Sequence, residues 1–70
     1  MYTIHIFGNL TPINLADWEV DCSLHSAKIK ASKWATEYGI NSYGYNDVIT
    51  VRDNKTGVVL RKIRGKWIED

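Results

Sequence analysis

One cysteine, Cys22, and one proline, Pro12, are all that the 70 residues contain of either type. A lone thiol excludes an intrachain disulfide, so the fold must hold without that staple, which suits a reducing compartment. Long hydrophobic runs are also missing: no window approaches the roughly 20 apolar residues that span a bilayer. The start, Met1 to Phe7, has neither a basic leader nor an extended apolar stretch behind one. We therefore expect a cytoplasmic protein with no membrane partner. No repeat, low-complexity tract or linker interrupts the chain, so residues 1–70 are expected to form a single small domain.

Reactive motifs are absent too. There is no G-x-x-x-x-G-K-[ST], G-x-G-x-x-G or G-x-S-x-G, so the sequence offers neither a phosphate cradle nor a nucleophile elbow. Cys22 and His25 have the spacing of half a zinc site, but only His5 remains to complete it, and a structural zinc needs four ligands. We expect no metal, no cofactor and no enzymatic activity. Cys22 reads as a packed thiol and His25 as a surface side chain near a helix start.

Lys and Arg are missing from the first 22 residues, which hold Asp17, Glu19 and Asp21. All nine cations fall between Ser23 and Lys66, against three acids there, and Glu69 and Asp70 bring the net charge to +1. Opposed charge blocks orient partners more readily than they perform chemistry. Three Trp, four Tyr and one Phe supply the bulk that a core this small needs.

Tyr2, Ile4 and Ile6 alternate with Thr3 and His5, the period of a strand with one buried face. Leu10 to Leu15 reads as an ordered loop around Pro12. From Ala16 the period of two returns: Ala16, Trp18, Val20 and Cys22 point one way, and Asp17, Glu19 and Asp21 the other. Carboxylates about 6.6–6.8 Å apart on one strand do not close a shell around a hard cation, so we read them as a solvated or partner-facing patch. Ser23 fits an N-cap, and Leu24, Ala27, Ala31, Trp34, Ala35 and Tyr38 make an apolar helical stripe ended by Gly39. Ile29 is the odd apolar member of the opposite face.

Ile40 to Asn46 reads as a loop. Asp47 to Arg52 and Val58 to Arg64 read as a hairpin joined by Asp53 to Gly57, with Gly57 left-handed. Setting Val51 opposite Leu60 puts Ile49, Val51, Val58 and Leu60 on one face. The other face then holds Val48, Thr50, Arg52, Val59, Arg61 and Ile63. Neither face is cleanly polar, so either the register is slipped by one residue, which would exchange the faces, or the outer face meets another chain. Gly65 to Asp70 reads as a tail that returns Trp67 to the core. The expected fold class is α+β: a two-layer ββαββ domain with one helix on an antiparallel sheet of about four strands.

Two binding functions fit this pattern. The first is a protein-binding module of inhibitor or adaptor type, whose partner is another protein or its own copy as a homodimer. It would use Arg52, Val59, Arg61 and Ile63, with Asp17, Glu19 and Asp21 as the acidic counterpart. The alternative is nucleic acid, held by Lys55, Arg61, Lys62, Arg64 and Lys66 with Tyr43 or Tyr45 as stacking platforms. Lys30 and Lys33 on the helix should point away from the hairpin cations, and a pI near 7.9 is below that of a dedicated nucleic-acid domain.

Overall fold

The structure is a computed structural model that describes residues 1–7, 14–40, 43 and 48–69, with residues 14–17 described in their backbone only. Five strands and one helix follow in the order β1 (Tyr2–Phe7), β2 (Asn14–Val20), α1 (Leu24–Glu37), β3 (Val48–Asp53), β4 (Val59–Ile63) and β5 (Lys66–Glu69). The strands form one sheet in the order β2-β1-β3-β4-β5, and every neighbouring pair is antiparallel. The expected α+β class is what the chain adopts, with one strand more than the sequence pattern suggested. Among the described residues no helix is long and apolar enough to cross a membrane.

The helix begins and ends as its sequence dictates. Ser23 stands in extended backbone and its Oγ accepts from the Ser26 amide at 3.2 Å, supplying one of the donors that a first turn lacks partners for. At the other end Gly39 turns left-handed at φ +73°, which a side chain resists. The Gly39 amide then reaches the Thr36 carbonyl at 3.0 Å and the Ile40 amide reaches that of Ala35 at 2.9 Å, a Schellman closure that carries Ile40 into the core.

α1 packs against the two central strands, β1 and β3. Ala27, Ala31 and Ala35 bring it close to the sheet, where Ile4, Ile6, Ile49 and Val51 are fully buried. Each such aliphatic side chain contributes about 1.5–3 kcal/mol relative to exposure. Trp18 of β2 meets Trp34 edge to face at 4.5 Å between ring centroids, tying the helix to that edge of the sheet. Tyr38, expected on the apolar stripe, lies beyond the last helical turn and is exposed.

The β3–β4 hairpin has the expected register, Val51 opposite Leu60 and Arg52 opposite Val59. The Asp53 amide closes its loop on the Val58 carbonyl at 2.8 Å, and Gly57 is left-handed. Two expectations change. β2 starts at Asn14, inside the segment expected to be a loop, and carries one extra residue between the pairs Ile4–Trp18 and Ile6–Leu15. The expected tail is strand β5, paired to β4 through a two-residue turn, Arg64-Gly65, with both residues left-handed. Most of the Ile40–Asn46 loop lies outside the described residues.

Candidate functional site

Alternation along the strands builds a second sheet face, turned away from α1, and pairing arranges it in rows. Glu19, Thr3, Arg52 and Val59 stand side by side in one row. His5, Thr50, Arg61 and Ile68 form the next. Phe7 pairs with Val48, and Ile63 with Lys66, at the far end. Directly opposed side chains in such rows have Cβ atoms about 4.5–5.5 Å apart, so each row is a continuous surface.

This face is partly apolar. Phe7 is 37 % exposed, Ile63 42 % and Ile68 48 %. Between the apolar positions stand Arg52 and Arg61. Arg52 Nε donates to Asn54 Oδ1 at 3.3 Å, which steadies its side chain at the hairpin end of the sheet. A hollow of about 220 Å³ lined by Thr3, His5, Thr50, Arg52 and Val59 occupies the centre of the face.

Arg52, Val59, Arg61 and Ile63 therefore share one surface, on strands fixed by the hairpin register. Glu19 joins them in the Arg52 row, two strands away, instead of facing a separate acidic surface. Asp21 is exposed just past the end of β2, and the Asp17 side chain lies outside the described residues. By strand order Glu19 and Asp21 lie at the β2 edge, while Arg61, Arg64 and Lys66 lie toward the opposite edge together with the acid Glu69.

The cations proposed for nucleic acid do not share one surface. Arg61 and Lys66 belong to the outer face, Arg64 to the β4–β5 turn, and Lys55 to the turn at the other end of β4. Lys62 points to the helix side, where Nζ donates to Ser32 Oγ at 3.0 Å and stands 6.0 Å from the Trp67 ring centroid. Tyr43 approaches the Arg64-Gly65 turn, and Tyr45 lies outside the described residues.

The sequence reading missed His5, Phe7 and Ile68 as members of this face. The odd-numbered positions of β1 could have signalled the first two, had β1 been placed beside β3. His5 also sits across the sheet from Cys22, which is partly buried against the core, while His25 is exposed on α1. Among the described residues no three His, Cys, Asp or Glu side chains gather as a metal site would require.

No family model matches the chain, and no curated protein or solved structure matches it either.

Proposed function

We propose that this chain is a non-enzymatic protein-binding module, of inhibitor or adaptor type, that works in the cytoplasm by occupying a partner's surface with its outer sheet face. The partner is another protein or a second copy of the chain. One observation carries this reading: Phe7, Ile63 and Ile68 remain exposed on the face opposite the helix, interleaved with Arg52 and Arg61. Apolar side chains set among arginines are the composition of a protein interface, where Arg and aromatic residues are enriched. A nucleic-acid site is less well supported, because Lys55 and Lys62 lie away from Arg61 and Lys66.

A photo-crosslinking side chain at Val59, compared with one at Lys30 on the exposed side of α1, tests the reading in host lysate. A discrete adduct from position 59 alone, suppressed by Arg61→Glu and by Ile63→Asp, is the expected result. Equal capture from both positions would remove the proposal. Sedimentation at high micromolar concentration distinguishes a second copy from a different partner. Oligonucleotide binding that weakens steeply between about 50 and 200 mM salt would instead favour the nucleic-acid reading.

A further inference from the structure

β5 is the last strand of the sheet, so among the described residues only its β4 side is paired. The Arg64-Gly65 connection fixes which backbone groups are used. In a two-residue hairpin the flanking residues, here Ile63 and Lys66, exchange both backbone bonds, and the alternation makes Arg61 and Ile68 the next bonded pair. The N–H and C=O groups of Trp67 and Glu69 are thereby directed at the open edge.

A groove lies beside that edge on the helix side. Because α1 rests on β1 and β3, a space of about 320 Å³ remains between its flank and β5, lined by His25, Lys28, Ile29, Ser32 and Trp67. Its apolar walls are the Trp67 ring and Ile29, which is 54 % exposed. Lys28, Arg64 and Lys66 surround the edge and outnumber the acid Glu69 among the described residues.

We propose that this edge is a second site, which takes an extended acidic segment of another protein as a sixth strand. A residue paired with Trp67 projects to the same side of the sheet as the indole, so its side chain enters the groove against that ring and Ile29. An aliphatic β-branched residue fits there, because it favours extended backbone and fills an apolar slot. A carboxylate next to it projects to the outer side and meets Lys66, while one two positions away stays on the groove side and meets Lys28. The site is separate from the outer sheet face and does not rest on that face binding anything.

The test is selection of a phage-displayed random peptide library against the full chain, followed by titration of enriched peptides into the ¹⁵N-labelled protein. Enriched sequences should carry Asp or Glu both beside a β-branched residue and two positions from it, and amide shifts should concentrate at Lys66 to Glu69 and Ile29. N-methylation of the peptide amides that face β5 should weaken binding about tenfold, because each removes a backbone hydrogen bond. Lys28→Glu and Ile29→Glu, both at surface positions that leave the core intact, should each weaken it roughly fivefold. Failure to enrich any peptide over a control protein would overturn the proposal. So would shifts centred on Arg52 and Val59, or binding indifferent to N-methylation. Shifts at Trp67 and Glu69 that change on dilution of the protein alone would assign the edge to a second copy and equally overturn it.

Discussion

Thr3 Oγ1 donates a 2.8 Å hydrogen bond to Asn54 Oδ1, joining the first strand to the β3–β4 turn across 51 positions of sequence. Asn54 also donates its amide to the Met1 carbonyl at 3.1 Å, and its Oδ1 accepts from Arg52 Nε as well. One turn residue thus anchors the start of β1 and orients an arginine of the proposed binding face. Thr3 is only 6 % exposed, while its acceptor Asn54 is at the surface, so water can replace the acceptor when it is removed. Asn54→Ala should therefore cost about 0.5–1.5 kcal/mol in urea denaturation, the net contribution of one hydrogen bond. Thr3→Val removes the donor of the same bond and should cost a similar amount. In the Thr3→Val background Asn54→Ala should lose most of its effect, and equal cost in both backgrounds would show that the bond does not couple the two residues.

Asp53 gives the same turn a pH dependence. Its carboxylate is held below the ordinary 3.8, chiefly because the Lys55 amide donates to it at 2.9 Å. Partial desolvation opposes this shift, while the Thr56 amide and hydroxyl and the N-terminal ammonium reinforce it. The folded state thus binds the proton less readily than the unfolded chain does. The stabilisation is fully present above pH 3.8 and is lost as pH falls through the lowered folded value. Asp53→Asn keeps an acceptor for the Lys55 amide but cannot titrate. Its stability relative to the parent should be lower at pH 6 and should converge with it as pH falls through the lowered folded value, as measured by urea denaturation at each pH. A constant offset between the two would refute the assignment.

How far the fold was legible depended on whether a segment declared itself locally. The helix did, because Ser23, the alanine stripe and Gly39 each specify one part of it through short-range geometry. The β3–β4 hairpin did as well, since Asp53 to Gly57 supplies turn chemistry between two β-rich runs, but its mixed faces left open a one-residue slip of register that only the observed pairing excludes. β5 did not: Arg64 is a poor marker for a left-handed turn position, and Lys66-Trp67-Ile68-Glu69 is too short to announce a strand. The outer face was half legible. Arg52, Val59, Arg61 and Ile63 follow from one hairpin, whereas His5, Phe7 and Ile68 join them only through pairing between strands, which local pattern does not encode.

The Arg64-Gly65 turn makes a sharper test of that account. Arg64 sits at φ 49° and Gly65 at φ 82°, the left-handed pair that a tight hairpin of this kind demands. A Cβ on Gly65 would also stand 3.0 Å from Tyr43 Oη. Gly65→Ala should thus cost at least about 1 kcal/mol through backbone strain, with the close contact adding to it. Tyr43→Phe should relieve only the contact part in a double-mutant cycle. Arg64→Asn, which suits the left-handed position, should stabilise the hairpin by a few tenths to about 1 kcal/mol. Thermal unfolding of the four variants separates these effects, and an Arg64→Asn variant less stable than the parent would contradict the turn geometry.

The two faces of the sheet should answer mutation in opposite ways. Ile49 is buried to 2 % exposure against the helix, whereas Ile63 and Ile68 are the half-exposed isoleucines of the outer face. Ile49→Ala deletes methylenes from a packed core and should cost about 2–5 kcal/mol. Ile63→Thr and Ile68→Thr keep a β-branched shape suited to a strand and expose no new cavity. Each should change stability by less than about 1 kcal/mol. If the outer face binds a partner, these same two substitutions should weaken crosslinking from Val59 severalfold while the unfolding midpoint stays near that of the parent. A loss of stability comparable to Ile49→Ala would mean that Ile63 and Ile68 serve the fold, and the reason to assign them to binding would disappear.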